Sequence, residues 1–302
     1  MDSLMHAPAA PIAPLAPTAL RPGTREGGIA ARNAAVVLPV PGSLDELARL
    51  LGVPQSGRHD GVLCPPIPIL RMHPEAILLH EGSQGHTLYV VRSGSFKCVR
   101  TLEDGYEQVL SFAQPGELLG FEALHGGTWS SSAVALEYAT VYALPAGELH
   151  DLQRNCPPLE EAIRHGLSRQ LARAAEAAGM TSAVASDARL SRFILWLSSR
   201  MAEAGQSPVR LRLRMSRRDI ASLLGLAHET VSRSFTMLAE SGCLRIDNRE
   251  VEILDMEALR VRARNTRGLQ AESVRRRPAP TPYQQGTAGG VWWGAPVAPL
   301  MA

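Results

Sequence analysis

The sequence predicts an α+β protein: a β-roll of jelly-roll type, then a long helix, then a winged helix-turn-helix. Three observations predict this order. Between residues 68 and 144, short apolar runs alternate with glycines at near-even spacing (Gly82, Gly94, Gly105, Gly116), as in an antiparallel sandwich or barrel. After Pro157-Pro158 glycine thins out, and apolar residues recur every three or four positions from Leu159 to Ala178, the period of one helical stripe. From residue 209 onward come an alternating stretch, two helical patterns broken by Gly225, and two more alternating stretches.

Bulk composition narrows the possibilities. A length of 302 residues suits two modest domains, and a net charge of +2 makes any basic behaviour local. Lys97 is the only lysine. With so much Ala, Pro and Gly, this reads as codon bias from a GC-rich genome, so arginine richness alone does not indicate phosphate binding. Cys64, Cys98, Cys156 and Cys243 are far apart and form no C-x-x-C pair. Free thiols are expected, with neither a disulfide scaffold nor a zinc site. No basic leader opens the chain and no apolar run reaches the roughly 18 residues that span a bilayer. The expected location is cytoplasmic, with no membrane partner.

Residues 1–40, rich in Ala and Pro, read as a disordered tail. Residues 41–156 form the roll domain, opened by the short helix SLDELARLLG, in which Ser43 and Glu46 make a capping box and Gly52 ends the helix. Strands are expected at 77–79, 87–91, 96–100, 108–112 and 140–144. Residues 157–183 form the long helix, whose seam is Leu159, Ile163, Leu167, Leu171, Ala174 and Ala178. A narrow seam ending in small residues suits close helix–helix contact and hence a homodimer; packing of the helix on its own roll is the alternative. Residues 184–265 form the last domain. Its first helix, 189–204, turns Leu190, Phe193, Ile194 and Leu197 inward. After the alternating stretch 209–215, Ser216 and Asp219 cap a short helix whose inner face is Ile220, Leu223 and Leu224. Gly225 turns the chain into a second helix, 228–241, that buries Val231, Phe235 and Leu238. A hairpin turns at Asp247-Asn248. Residues 266–302, with Arg275-Arg276-Arg277 and Trp292-Trp293, form a second disordered tail.

A helical hairpin with a glycine turn does not by itself imply DNA binding; the residue types on its second helix favour it. Glu229, Ser232 and Arg233 lie on the N-terminal exposed face, where a recognition helix meets base edges. Arg233 can donate to guanine O6 and N7, Glu229 can accept from cytosine N4, and Ser232 can bond a base or permit close approach. Arg210, Arg212, Arg214, Arg217 and Arg218 cluster in sequence with little acid between them, a footprint for phosphates. Ser216, Arg217, Arg218 and Thr230 are the expected phosphate contacts. A glutamate inside a purely electrostatic patch would be a liability, so Glu229 argues for base reading. Double-stranded DNA is the expected partner.

A roll carrying GELLGFEAL, a long helix, and MSRRDIASLLGLAHETVSRSF in that order resemble the Crp/Fnr family of bacterial transcription regulators, over about residues 65 to 262. E-T-V-S-R resembles the FNR branch; the CRP branch has glycine where Ser232 stands and arginine where His228 stands. The resemblance implies a cyclic-nucleotide-binding-like roll, a homodimer, an inverted repeat of TTGAT-type half-sites read by Glu229, Ser232 and Arg233, and RNA polymerase as a partner of an activator. Ala227 departs from the polar N-cap common in the family.

The resemblance also frames the question of the effector. CRP-type rolls hold the nucleotide phosphate with G-E-x-x-G-E and then R-S/T-A. Here Gly116, Glu117 and Gly120 are followed by Phe121, and Ser130-Ser131-Ser132-Ala133 contains no arginine. The phosphate loses its bidentate partner, so cAMP dependence is not expected. FNR's iron–sulfur cluster needs four cysteines, but Cys64 stands alone before the roll and Tyr142 takes the central cysteine's place, so no cluster is expected. A haem on His73, His80, His86, His125 or Cys64 stays open, as does a regulator with no ligand; no cofactor is predicted. Enzyme chemistry finds no footing. H-E-G-S-Q-G-H crosses a glycine turn, a poor geometry for a cupin metal site, and no nucleophile–base set or phosphate loop occurs. A non-catalytic β-roll interaction module is the remaining alternative.

Overall fold

Alternation along the roll strands divides their side chains between two apolar layers. The computed structural model describes residues 36–38, 42–53, 66–122, 127–145 and 156–265. Its roll strands are β1 (Val36–Val37), β2 (Ile69–Met72), β3 (Ile77–Leu79), β4 (Thr87–Ser93), β5 (Phe96–Thr101), β6 (Glu107–Ala113), β7 (Leu118–Leu119), β8 (Ser132–Ala135) and β9 (Ala139–Pro145). They form two antiparallel sheets, in the orders β1-β2-β9-β4-β7 and β3-β8-β5-β6. On β4 and β9, Val91 and Val141 face the layer between the sheets, with Phe96, Met72 and Leu79. Their neighbours Val90 and Tyr142 face the other way, under helix α1 (Leu44–Leu50). Gly94, at φ 79°, turns β4 into β5; a Cβ there would come within 2.7 Å of the Tyr138 carbonyl, so the turn needs glycine both sterically and conformationally.

Two local expectations fail near the start of the chain. Ser43 is the N-cap of α1 but makes no capping hydrogen bond. Glu46 instead accepts from Arg92 Nε at 2.9 Å and from Tyr142 Oη at 2.7 Å, so partners on the sheet outcompete the capping box. The tail expected over residues 1–40 is corrected at 36–38, where apolar Val36 and Val37 pair with Arg71 and Leu70 of β2. The rest of that tail, like the tail expected over residues 266–302, lies outside the described residues.

The long helix α2 (Pro157–Thr181) divides the expected seam in two. Leu159 and Ile163 are 1% and 2% exposed within a single chain, packed with Leu51, Leu118 and Tyr142, and Leu167 joins the same cluster half-buried. These three are corrected from dimer seam to roll core, because α1 and β7 supply a closer apolar partner. Gly166 permits that approach: a Cβ there would press on Leu51 and Leu118. Leu171, 75% exposed, and Ala174 and Ala178 face solvent.

The C-terminal domain comprises α3 (Ser186–Glu203), β10 (Arg210–Arg212), α4 (Arg217–Leu224), α5 (His228–Glu240), β11 (Leu244–Asp247), β12 (Glu250–Ile253) and α6 (Met256–Arg264). The strands form a sheet in the order β10-β12-β11. Helix α6 was not expected. Asp255 caps it, accepting from the Ala258 N–H, and Leu259 is fully buried.

The apolar core of this domain does not stop at the domain boundary. Val99, Val109 and Phe112 of the roll belong to the cluster that holds Leu190, Phe193, Ile220 and Phe235, and the Phe112 and Phe193 rings meet edge-on, centroids 6.2 Å apart. Polar bridges frame the contact. Lys97 Nζ lies 3.0 Å from Asp219 Oδ1, the Val109 N–H donates to Ser222 Oγ at 2.9 Å, and Arg214 pairs with Glu137 at 3.3 Å. Deeper in, Glu117 is bound by Arg200 of α3 and by Arg173 of α2. Cys98 and Cys243 are free and buried. The expectation of free thiols is corrected at Cys156, which is disulfide-bonded; spacing along a sequence does not disclose such a meeting. Among the described residues, no helix is long and apolar enough to cross a membrane.

Candidate nucleic-acid interface

The helix-turn-helix begins at a capping box. Ser216 Oγ accepts from the Asp219 N–H at 3.0 Å, and Asp219 Oδ2 accepts from the Ser216 N–H at 2.9 Å and from its hydroxyl at 2.6 Å. Burial would raise the Asp219 carboxyl. The Ser216 hydrogen bonds and the Lys97 ammonium outweigh that and hold it below its usual value. The single hydroxyl proton of Ser216, one of the expected phosphate contacts, is engaged by Asp219.

Helix α4 ends at Gly225 in the left-handed region, φ 61° and ψ 44°. Arg189 of α3, which sequence reasoning missed, fixes this turn: its Nη1 donates to the carbonyls of Leu224 at 2.8 Å and Gly225 at 3.3 Å. Only the folded arrangement brings Arg189 to those carbonyls, so no local signal marks it.

Helix α5 then presents its outer face. Val231, Ser234, Phe235 and Leu238 are buried, while Glu229 and Arg233 are exposed with no hydrogen-bond or ion-pair partner among the described residues. Ser232 is half-buried, its Oγ donating to the His228 carbonyl at 3.1 Å, and Thr230 is half-buried beside it. Ala227 offers no side-chain cap, so the first amides of α5 have no side-chain acceptor at the N-cap. Glu229, Ser232 and Arg233 thus lie on the first two turns of one outward-facing helix.

The arginine cluster differs from its sequence reading. Strand pairing sets Arg210 opposite Glu252 and Arg212 opposite Glu250, giving ion pairs of 3.4 Å each, and Arg245 reaches Glu252 at 2.5 Å. The acids that looked remote in sequence arrive from β12. Exposed pairs of this kind contribute roughly 0–1 kcal/mol, so a phosphate can displace them, but the footprint is weaker than the arginine count suggests. Arg217 is turned inward. Its guanidinium carbon lies 3.3 Å from the Phe235 ring centroid, Nη2 donates to the Asn248 carbonyl at 3.4 Å, and burial pushes the group down to about 10. The expectation that Arg217 contacts phosphate is corrected by that stacking. Of the five arginines, Arg218 alone is exposed without an ion-pair partner among the described residues.

The roll offers poor ligands for the groups its sequence brought into question. Tyr142 is fully buried, and burial together with the Glu46 hydrogen bond pushes its phenol up. Burial also pushes the Cys98 thiol up to about 11, and Cys156 is in a disulfide. Among the described residues, no three His, Cys, Asp or Glu side chains gather into a group that could hold a metal. His73, His80 and His86 are exposed on the outside of the roll; His125 and Cys64 lie outside the described residues. At the place where a cyclic nucleotide's arginine would stand, Ser131 is buried. The Trp129 indole packs over Gly85 and Gly120, where any Cβ would collide with the ring.

Comparison with known proteins agrees with this geometry. Residues 69–156 match the cyclic nucleotide-binding domain family and residues 188–262 the Crp-like helix-turn-helix domain family. The chain is 36% identical over 173 residues to the transcriptional regulatory protein btr of Bordetella pertussis, covering 57% of this chain and 72% of that one. It is 34% identical over 192 residues to the fumarate and nitrate reduction regulatory protein of Escherichia coli K12, covering 64% and 77%. It is 34% identical over 178 residues to the transcriptional activator protein anr of Pseudomonas aeruginosa, covering 59% and 73%. Among solved structures, FixK2 from Bradyrhizobium japonicum superposes with a TM-score of 0.57 at 24% identity, covering 65% of this chain and 96% of that one. A CRP-family transcriptional regulator from Thermus thermophilus gives 0.50 at 26%, covering 64% and 95%.

Proposed function

The chain belongs to the Crp/Fnr family of DNA-binding transcription regulators, which are not enzymes, and from that premise we propose that it binds, as a homodimer, an inverted repeat of TTGAT-type half-sites without requiring cAMP. The observation that carries this reading is the outward face of α5, where Glu229 and Arg233 stand exposed and unpartnered beside Ser232. The E-T-V-S-R order of that face resembles the FNR branch. Dimerisation is supported by the free half of α2, where Leu171, Ala174 and Ala178 remain uncovered. Independence from cAMP is supported by the missing arginine and by the Trp129 indole over Gly120. A haem-sensing regulator of the same family is the second reading, with His73, His80 and His86 exposed on the roll; a regulator that takes no ligand is the other. The protein acts in the cytoplasm with RNA polymerase as its partner.

The test is fluorescence anisotropy on a TTGAT inverted repeat against a scrambled duplex, with and without cAMP. Arg233→Ala should cost about 1–3 kcal/mol per half-site and relax preference at one guanine. An unchanged ratio between cognate and scrambled duplexes in the variant would refute the assignment of Arg233. Tighter binding on adding cAMP would refute independence from the nucleotide.

A further inference from the structure

Arg217 sits at the first position of α4, where a basic side chain is well placed for a DNA phosphate, yet its surroundings give it different work. Its guanidinium lies on Phe235 of α5, 3.3 Å from the ring centroid. Nη2 holds the main-chain carbonyl of Asn248, at the turn between β11 and β12, and Nη1 is buried without a partner. Phe235 is itself 3% exposed and part of the domain core. The guanidinium lines a groove of about 330 Å³ between α5 and the β11–β12 wing, together with Ser232, Glu240 and Ile246. One side chain therefore touches three pieces: the start of α4, the recognition helix and the wing.

We propose that Arg217 is a positioning residue for DNA reading, fixing the recognition helix against the wing by stacking on Phe235 and holding the Asn248 carbonyl. The phosphate contact at the start of α4 then belongs to Arg218, its exposed neighbour. The proposal rests on the DNA-binding reading above. Charge and shape make opposite demands here. A phosphate accepts lysine or arginine, but a flat stack on an aromatic ring with a simultaneous carbonyl bond needs the planar guanidinium, which an ammonium does not imitate. Salt dependence separates the two roles as well, because each phosphate contact adds about 0.9 to the slope of log K against log salt.

The experiment is anisotropy with the full chain on the TTGAT repeat across a range of salt concentrations, with thermal unfolding of each variant alongside. Arg217→Lys should weaken cognate binding about fivefold, the effect of a weakened cation–π stack, while keeping the wild-type salt slope. Arg218→Ala should lower the slope by about 0.9. Phe235→Leu keeps every charge and an apolar core but removes the ring; it should reproduce the loss, and the double variant should lose no more than either single one. Wild-type affinity in Arg217→Lys, a lowered slope in Arg217→Ala, or additive losses in the double variant would each overturn the proposal. Should the Arg217 variants unfold, Phe235→Leu decides: wild-type affinity there overturns it. A wild-type chain that shows no preference for the repeat refutes the half-site reading instead, and the same comparison is then read on unspecific duplex.

Discussion

Glu117→Ala is the most severe single change the interface between roll and C-terminal domain should register. The Glu117 side chain is 7% exposed and that of Arg200 3%; Arg173, 13% exposed, reaches the same carboxylate oxygen at 3.3 Å. Burial pushes Glu117 up and Arg200 down even with these partners present, so neither charge is comfortable alone. Removing the carboxylate leaves two arginines side by side, with Glu203, 55% exposed, as their remaining ion-pair partner. Stranding a buried charge in this way costs about 3–5 kcal/mol, a large part of the roughly 5–15 kcal/mol that holds a protein folded.

The assay is urea unfolding followed by circular dichroism, comparing midpoints at constant slope. Glu117→Ala should unfold at a lower midpoint, with the C-terminal domain separating first because the lost pair joins it to the roll. A double variant, Glu117→Leu with Arg200→Met, removes the buried pair, leaves Arg173 with Glu203 as its partner, and should recover most of the stability. Stability of Glu117→Ala within about 1 kcal/mol of wild type, a typical loss for an ordinary substitution, would refute the reasoning. So would a double variant as unstable as the two single losses added together.

Three further outcomes follow from the same geometry. Gly225→Val puts a β-branched residue at φ 61° and should cost about 1–3 kcal/mol, with a parallel loss of DNA affinity; Gly225→Asn should keep most of both, as differential scanning fluorimetry and anisotropy would show. The Asp219 carboxyl is held below its ordinary value of 3.8, so its stabilising effect is complete above that pH and is lost as pH falls through the lower native value. Asp219→Asn should flatten the acid limb of a stability–pH profile between about pH 2 and 5, and an unchanged limb would contradict the assignment. Leu171→Glu, on the exposed half of α2, should yield folded monomers in sedimentation, whereas Ile163→Ala in the roll core should cost about 2–5 kcal/mol and leave association intact.

What the sequence disclosed and what it hid divide according to the distance over which the forces act. The Ser216–Asp219 box, the left-handed Gly225 and the buried face Val231, Phe235 and Leu238 involve partners within a turn or two, and all were legible. The Ser43–Glu46 box used the same signal and failed, because Arg92 and Tyr142 arrive from other parts of the chain to claim Glu46. Strands β2, β7 and β8 escaped notice because prolines flank the first, the second has two residues, and the third is built from Ser and Ala beside a serine run. Arginines at 210 and 212 looked free until β12 set glutamates opposite them.

Asp219 shows both sides of this division in one side chain. Its Oδ2 closes the capping box with a residue three positions away, a contact the sequence announces. Its Oδ1 meets Lys97, 122 positions away on the roll, a contact nothing local announces. Ser222, one turn further along α4, takes the Val109 N–H in the same way, and Phe112 sits edge-on to Phe193 beneath. The first helix of the DNA-reading pair is thus fixed at its start by its own cap and along its flank by the roll. Since α5 takes its angle from α4 through Gly225, the face bearing Glu229, Ser232 and Arg233 is aimed by the roll as well as by the domain that carries it. A displacement of β5 and β6 would therefore reach the recognition helix through packed side chains and two polar bridges, without needing any change at the turn itself.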